Sequence, residues 1–434
     1  MGKIQLKFER YLFYLLVFSI PFQTRIIIKT WGPNFNEWMA AFFYGTDILI
    51  IGLLISWLVR LLRRDGEFKF ERWTDWFLVL FVILSAVSLI NASNIPLGLY
   101  QLVKLIQFAL LYFYIKSNYK KVFGFKYVIY ALVASGIFQG TIALIQYIKQ
   151  SSLGLKILGE SALAPNVYGV AAFKVAGELI LRAYGTFPHP NVLAAFLFVS
   201  IYAFYLIYAN WDKEKYWLLF FYAPMLAGFV LTYSRLIGFL WVAGMVIRMS
   251  LIFFKKKLRK GYLKENSRRL IYLTIVTVAV LGAVYVTNVE PVKGRLGFSP
   301  SEEAYVMRVF YNKKSLESFS LFGHGVGNHI EWLREELPGM PAKNYQPVHN
   351  IYLVILNEVG FFGLATFVWF LIFLSIRYFK RKKFDKIFHY STYILFVSFL
   401  VMGFFDHYLW TLQQGRLMFW FLFGFLVVLT NMEK

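Results

Sequence analysis

The chain has 434 residues, of which 59% are hydrophobic and 20% aromatic, and its mean hydropathy is +0.57. This composition excludes an ordinary soluble protein, because soluble domains contain far fewer apolar residues. The net charge of +23 is common in nucleic-acid-binding proteins, but here the basic residues are concentrated in short segments between long apolar runs, which indicates a membrane protein and no nucleic-acid partner. The chain has no cysteine, so disulfides and thiol chemistry are excluded.

Apolar runs long enough to cross about 30 Å of hydrocarbon recur along the whole chain. Lys3, Lys7 and Arg10 precede the first run, and no small-residue cleavage site follows it, so we predict a membrane span and not a cleaved signal peptide. The sequence predicts one all-α, polytopic membrane domain over residues 1–434. About twelve spanning helices are expected, at roughly 11–29, 39–61, 73–90, 97–115, 127–148, 190–209, 217–232, 236–254, 270–287, 349–374, 391–408 and 416–431.

Basic residues indicate how these helices are oriented. Most of the 46 Lys and Arg residues fall in the loops on the side of the N-terminus, including 60–64, 116–121, 255–260 and 377–383. Because Lys and Arg concentrate on the cytoplasmic side and the number of helices is even, both termini are predicted to be cytoplasmic. The two long loops, about 149–189 and about 288–348, then face outward, where a scaffold usually carries binding and chemistry.

The outer loops contain two recognisable patterns. The first loop ends in the Gly and Pro cluster Arg182-Ala-Tyr-Gly-Thr-Phe-Pro-His-Pro-Asn191, which predicts a turn into the sixth helix. In the second loop, residues 302–320 are apolar on one side and polar on the other, which predicts an amphipathic helix at the outer surface. Its apolar side consists of Val306, Val309, Phe310 and Leu316, and its polar side of Arg308, Asn312 and Ser315. We expect short amphipathic helices in these outer loops, and a tight turn at Gly323-His-Gly-Val-Gly327.

Three residues on the predicted outer side could carry chemistry. Arg235 lies between two helices joined by almost no loop, where a cation either has a function or reaches headgroup phosphates. Arg308 has two similar interpretations, as a ligand for an anion or as a solvated surface charge. His349 precedes a long apolar helix, and its imidazole could take a proton from a hydroxyl or simply end the helix at the headgroup level. Helical geometry turns Glu358 away from His349.

Further polar residues lie near the ends of predicted helices or inside them. Asp406 and His407 end the eleventh helix and Arg416 begins the twelfth, so they belong either to an outward cavity or to a hydrogen-bonded hairpin. Asp47 and Lys104 lie within predicted spans and could form a pair inside the bundle. The outer loops contain no Asp-x-Asp and no His-x-x-x-His, so neither a metal ion nor another cofactor is expected.

These motifs, taken in order, resemble the O-antigen ligase and polymerase superfamily. The resemblance spans residues from about 180 to 420, and the ordered set is more specific than any single motif. The set consists of Arg182 to Asn191, Ser234-Arg235, Arg308 followed by Gly323-His-Gly-Val-Gly327, and His349-Asn350-Ile-Tyr-Leu with Glu358-Val-Gly360-Phe-Phe-Gly363.

The resemblance implies a glycosyltransferase of the multi-spanning C type at the outer face of the cytoplasmic membrane. Its donor would be a polyprenyl-diphosphate-linked glycan, and its acceptor lipid A-core or a growing glycan, with membrane lipids around both. By motif, Arg235 and Arg308 would bind the donor diphosphate, and His349 of the His-Asn350 motif would be the base that acts on the acceptor hydroxyl. Arg182, Asn350, Asp406 and Arg416 are secondary candidates. Guanidinium groups can hold a departing diphosphate without a metal, and a single displacement predicts inversion at the anomeric carbon.

Several functions remain open for this sequence. An O-antigen ligase is the leading interpretation, followed by an O-antigen or exopolysaccharide polymerase and then a protein O-oligosaccharyltransferase. A transporter of lipid-linked glycans belongs to a different class, and it would be expected to show internal repeats, broken helices near the midplane and charged residues inside the bundle. A membrane scaffold that only binds is the remaining alternative.

Overall fold

A computed structural model describes residues 2–32, 34–167, 169–175, 177–210, 216–254, 264–296, 303–380 and 387–431. Within these ranges the chain forms sixteen α-helices and two antiparallel pairs of strands. The helices are α1 (Gly2–Phe18), α2 (Gly45–Leu62), α3 (Arg72–Val87), α4 (Ile95–Asn118), α5 (Phe125–Lys149), α6 (Pro190–Asn210), α7 (Leu218–Val230), α8 (Arg235–Phe254), α9 (Lys264–Thr287), α10 (Val289–Leu296), α11 (Glu303–Glu317), α12 (His329–Glu336), α13 (Ile351–Phe379), α14 (Ile387–Phe405), α15 (Tyr408–Thr411) and α16 (Gln413–Asn431). The strands are β1 (Arg25–Thr30), β2 (Ala40–Tyr44), β3 (Ala172–Val175) and β4 (Glu178–Leu181).

The prediction of an all-α polytopic membrane protein is confirmed. In the part of the chain that the structure describes, ten helices are long and apolar enough to cross a membrane: α2 to α6, α8, α9, α13, α14 and α16. The other two predicted spans correspond to α1, which has 17 residues, and α7, which has 13 and contains Pro224. The basic segments at 255–260 and 381–383 lie outside the described residues.

The first predicted helix is wrong beyond Phe18. Arg25–Thr30, whose three isoleucines belong to the predicted span, form β1, which pairs with β2 in a hairpin. Consecutive β-branched isoleucines favour an extended strand over a helix. The second predicted helix begins at Gly45 instead of at about residue 39, because β2 occupies the residues before it.

The chain divides into two compact units. The first unit consists of Met1–Thr24, Lys120–Phe298 and Lys383–Ser398, and in it α5 packs against α1, α6 and α7. The second unit consists of Arg25–Tyr119, Ser299–Lys382 and Phe399–Lys434, and in it α13 packs against α3 while α4 packs against α16. The single domain over residues 1–434 stays a prediction.

The two predicted outer loops fold differently. Between α5 and α6, the described residues form a short 3₁₀ turn and the β3–β4 hairpin in place of the expected amphipathic helices. Glu160 is buried in this loop, where its carboxylate accepts hydrogen bonds from the backbone of Leu153 and Leu155 and from the side chain of Gln146. This part of the loop is thus held by a buried polar network. The predicted amphipathic helix would instead have packed through an apolar side.

The second predicted outer loop contains α10, α11 and α12, so short helices are confirmed there. On α11 the apolar side chains Val306, Val309, Phe310 and Leu316 are exposed. The opposite side packs against the protein through Tyr311, whose hydroxyl donates to the carbonyl of Asn344. An exposed apolar side is what the expected helix at a membrane surface requires.

Asp47 and Lys104 form the ion pair that was considered from the sequence. Lys104 on α4 donates to the Asp47 carboxylate on α2, and both side chains are buried. Gln107 and Gln413 donate to the other oxygen of Asp47, over 3.0 and 2.8 Å. A buried carboxylate is costly unless hydrogen bonds satisfy its oxygens, so these contacts stabilise the folded protein. They connect α2, α4 and α16 through Asp47.

Candidate active site

His349 is the last residue but one before α13 begins. Asn350 is the N-cap of this helix, and its side-chain oxygen accepts hydrogen bonds from the amides of Tyr352 and Leu353 over 2.9 and 3.2 Å. An asparagine at this position satisfies amides that have no partner within the helix. Asn350 therefore defines where α13 starts and keeps His349 just before the first turn of this helix.

The imidazole of His349 lies against a second histidine. The rings of His349 and His407 are 5.0 Å apart in an edge-to-face arrangement, and the rings of His407 and Trp38 are 4.9 Å apart in a similar one. The Nδ1 atom of His349 is buried and makes no hydrogen bond within the described part of the chain. A buried ring nitrogen without a partner is a costly feature in a folded protein, and it is often found where a ligand supplies the missing group.

Asp406 completes a compact cluster with the two histidines. One possible ligand atom from each of His349, Asp406 and His407 lies within 4.8 Å of the others. His407 also shares a hydrogen bond of 2.7 Å with the hydroxyl of Thr411 through its Nδ1. Three such groups could hold a metal ion with an open coordination position. These three residues come from positions 349 and 406–407, so folding assembles a cluster that no short motif in the sequence marks.

Charges around His349 act on its pKa in opposite directions. Burial lowers the pKa of His349 below its usual value, and Arg308 on α11 lowers it further, while Asp406 raises it. Arg308 and His349 belong to the same unit, and Arg308 is near enough to His349 to act on its pKa. With its pKa lowered, the imidazole is uncharged at neutral pH and has a lone pair that can accept a proton.

His329, which the sequence analysis did not single out, supports the backbone next to His349. Its Nε2 accepts a hydrogen bond from the amide of Val348 over 3.3 Å, so its Nδ1 carries the proton that it donates to Asn357 over 2.9 Å. Burial lowers the pKa of His329 to about 4, which keeps the ring neutral. No local sequence signal marks this role, because Val348 and Asn357 reach His329 only in the folded chain.

The glycine-rich turn meets a carboxyl group of the protein itself. The carboxylate of Glu358 accepts hydrogen bonds from the amides of Gly327 and His329 at the start of α12, and from the indole of Trp410 over 2.9 Å. A carboxylate at the first turn of a helix interacts favourably with the helix dipole. Glu358 thus connects α13 to the start of α12 and to α15.

α13 is broken one turn after the residues that the glycine turn contacts. Gly360 has φ of +83° and ψ of −177°, so the helical hydrogen bonds stop there. The loop fills the gap: His324 and Gly325 donate to the carbonyls of Asn357 and Glu358, each over 2.9 Å. The motifs around residues 323–327 and 358–363 therefore lie next to each other and are joined by backbone hydrogen bonds.

Arg416, a secondary candidate, lies inside the second unit. Its guanidinium donates to the carbonyl of Trp410 and, over 2.8 Å, to the side chain of Gln101. It lines a cavity of about 40 Å³ together with His329 and Glu358. A cavity of this size holds a few waters at most, and Arg416 stays a secondary candidate.

In the first unit, Arg182 and Arg235 meet at one turn. Arg182 is buried and donates to the carbonyl of Thr232 over 2.6 Å and to Asn191 over 2.9 Å. Tyr233 follows with φ of +48°, an uncommon conformation for a non-glycine residue, and Arg235 then begins α8. Arg295 on α10, which the sequence analysis did not single out, donates to the carbonyl of Tyr233 over 3.3 Å. Three arginines thus gather at the start of α8.

Comparison with known protein families gives one match. Residues 219–368 match the family described as O-Antigen ligase, a range that includes Arg235, Arg308 and His349 but ends before Asp406. A comparison with curated proteins finds no match. The match over residues 219–368 confirms the resemblance of the chain to the O-antigen ligase and polymerase superfamily.

Proposed function

We propose that this protein is a glycosyltransferase that moves a glycan from a polyprenyl-diphosphate carrier to an acceptor hydroxyl at the outer face of the cytoplasmic membrane. The proposed acceptor is lipid A-core, which makes the reaction that of an O-antigen ligase. The family match carries the broader statement, that this is a membrane enzyme of the O-antigen ligase and polymerase type.

One observation supports the chemistry most directly: the half-buried His349, whose Nδ1 is enclosed, lies beside Asp406, and burial and Arg308 lower its pKa. In the proposed step, His349 takes the proton of the acceptor hydroxyl. At the same time, the hydroxyl oxygen bonds to the anomeric carbon, and the bond between that carbon and the diphosphate breaks. The imidazolium that forms is stabilised by the carboxylate of Asp406. Such general-base catalysis contributes roughly 100- to 10,000-fold to the rate.

The leaving diphosphate develops negative charge that cations must balance. We propose Arg308 and Arg235 for this task, because a guanidinium can donate two parallel hydrogen bonds to phosphate oxygens without a metal. Arg182 supports the role of Arg235, since its hydrogen bond to Thr232 fixes the turn from which α8 starts. Loss of one such donor typically costs about 3 to 4 kcal/mol in transition-state stabilisation.

The test is transfer by the purified, reconstituted protein with a lipid-linked glycan and lipid A-core, with products resolved by size and anomeric configuration. We expect transfer to lipid A-core with inversion, a loss of at least 100-fold in kcat for His349→Ala, and a comparable loss for Arg308→Ala. Arg334→Ala is a matched control, because Arg334 is a partly exposed arginine of the same unit that pairs with Glu331 on its own helix.

Each product identifies a different reaction. A ladder of longer glycans on the carrier would replace the ligase by a polymerase, and transfer to protein would indicate an oligosaccharyltransferase. A retained anomeric configuration would overturn the single displacement. Unchanged transfer in both His349→Ala and Arg308→Ala would remove the proposed site altogether.

The cluster of His349, Asp406 and His407 makes a metal test necessary. We propose that the base works without a metal, so exhaustive treatment with a chelator should leave the rate unchanged. Added Zn²⁺ should inhibit, because it would occupy the lone pair that His349 uses as a base. Loss of activity on chelation and its recovery with a divalent ion would instead give the cluster a metal-binding role.

A further inference from the structure

A series of hydrogen bonds joins the loop before α13 to the end of α11. The amide of Val348 donates to Nε2 of His329, and Nδ1 of His329 donates to Oδ1 of Asn357. The series continues through the other end of this amide: Nδ2 of Asn357 donates to the hydroxyl of Ser318 over 2.8 Å. Ser318 in turn donates to the carbonyl of Ser315 on α11, also over 2.8 Å. We refer to the side chains of residues 329, 357 and 318 as the bridging network.

The first donor sets the direction of every hydrogen bond in the bridging network. A backbone N–H can only donate, so Nε2 of His329 accepts and Nδ1 carries the proton. Oδ1 of Asn357 must then accept, which leaves Nδ2 as the donor to Ser318. The hydroxyl of Ser318 has one hydrogen, which it donates to the carbonyl of Ser315. No member can reverse its role without leaving another group unpaired, so the bridging network holds one arrangement.

The centre of the bridging network is enclosed by protein. His329 and Asn357 are buried, whereas Ser318 is half-buried. The amide of His324 donates to the carbonyl of Asn357 over 2.9 Å, and its ring donates to the carbonyl of Ser318 over 3.3 Å. A buried donor without a partner is costly. Removal of the Ser318 hydroxyl therefore leaves Nδ2 of Asn357 unsatisfied and loosens the contact between α13 and the end of α11.

The two ends of the bridging network lead to the proposed base and to the proposed diphosphate ligand. Val348 directly precedes His349. On α11, Arg308, Tyr311 and Ser315 are spaced by three and four residues, so they share one side of the helix. Tyr311 and Ser315 are buried, so this is the side that packs against the protein. Ser315 lies roughly 10 Å along the helix from Arg308.

We propose that Asn357 and Ser318 are positioning residues that hold α11 at a fixed distance from the start of α13 and thereby set the separation of Arg308 and His349. The inference rests on the proposed function, and it adds residues that act on the reaction without touching the substrate. In the proposed step, the hydroxyl beside His349 attacks the anomeric carbon while Arg308 holds the diphosphate that leaves from the opposite side. A displacement of about 1 Å in such a geometry can lower a rate about 100-fold.

Ser318 offers the mildest test, because its side chain is only half-buried. For Ser318→Ala, we expect kcat to fall at least about tenfold, with little change in the KM of the donor, since Arg308 is retained. Ser318→Thr keeps a hydroxyl and should restore most of the lost kcat. Ser375→Ala is the matched control, because this hydroxyl on α13 donates only to the carbonyl of Leu371 in its own helix. A wild-type kcat in Ser318→Ala would overturn the proposal.

A double-mutant cycle separates positioning from a general loss of stability. Arg308→Lys keeps a positive charge and removes the planar fork, whose hydrogen bonds to phosphate depend on exact placement. If Ser318 acts through the placement of Arg308, Ser318→Ala should lower kcat in the wild type and have little further effect in Arg308→Lys. A purely structural role would lower kcat by the same factor in both backgrounds, which would contradict the proposal.

A second measurement does not depend on transfer. The chain has no cysteine, so two spin labels can be attached at Val306→Cys on α11 and Phe379→Cys at the end of α13, both exposed positions. In proteoliposomes, Ser318→Ala and Asn357→Leu should broaden the distribution of distances between the labels, and Ser375→Ala should not. An unchanged distribution in both variants would refute the bridging role. Absence of glycan transfer by the wild type would instead refute the proposed function, whatever the distances show.

Discussion

The protonation of His349 depends on two neighbours that act in opposite directions. A base must be neutral, so the rate should fall as the pH drops through the pKa of His349. Because Asp406 raises this pKa and Arg308 lowers it, Asp406→Asn should move the acid limb of the pH–rate profile to lower pH, and Arg308→Gln should move it to higher pH. The measurement is the midpoint of the acid limb, which can be compared even when the maximal rates differ. Shifts in the same direction for both variants would contradict the assignment of His349 as the base.

At this scale, motifs revealed part of the site and folding supplied the rest. His349, Arg308 and Asn350 stand in recognisable patterns, and Asn350 also follows the known preference for helix N-caps. Asp406 was only one of several polar residues at a helix end, because nothing in the sequence indicates that it reaches His349. The role of His329 depends on a backbone amide and a side chain from elsewhere in the chain, and such partners leave no local spacing to find.

At the scale of single elements, the break in α13 should be intolerant of any side chain. A Cβ at Gly360 would overlap the backbone nitrogen of Gly323, and its φ of +83° is strained for any other residue. We expect Gly360→Ala to destabilise the folded protein by at least about 1 to 2 kcal/mol, seen as a lower Tm in detergent and reduced transfer. Gly282→Ala is the matched control: a Cβ there meets nothing within 4 Å, and alanine in a helix stabilises by up to about 1 kcal/mol. Equal Tm values for the two variants would argue against a structural role for the break.

Helices and strands could be predicted from the sequence where one property of a segment dominated, and less well where two properties favoured different structures. Long apolar runs gave correct positions for most of the spanning helices, because length and hydropathy alone decide whether a segment can cross a membrane. The first predicted helix was wrong at β1. A run of isoleucines is apolar, which suits a membrane span, and β-branched, which suits a strand. The β3–β4 hairpin was missed because its stability comes from contacts with the buried side chains around it, including Leu181 and Tyr184.

For the whole molecule, the distribution of Lys and Arg predicts which loops face the cytoplasm and which face outward, and this orientation can be tested. The chain has no cysteine, so a single introduced cysteine reports only its own position. Both Arg64 and Lys343 are exposed, one in a predicted cytoplasmic loop and the other in a predicted outer loop. In intact cells, a membrane-impermeant maleimide should label Lys343→Cys and leave Arg64→Cys unlabelled until the membrane is opened. Labelling of Arg64→Cys alone would invert the topology and exclude an outward-facing site.

The break at Gly360 also separates the active site mechanically from the membrane. Residues 361–379 cover roughly 28 Å, which is enough for that part of α13 to cross the hydrocarbon by itself. The part that begins after His349 is instead joined by hydrogen bonds at Asn357 and Glu358 to the loop that follows α11. A thinner or thicker bilayer tilts a spanning helix, but this first part keeps its contacts with the protein. We therefore expect the spacing of His349 and Arg308, the proposed base and the proposed diphosphate ligand, to be independent of bilayer thickness.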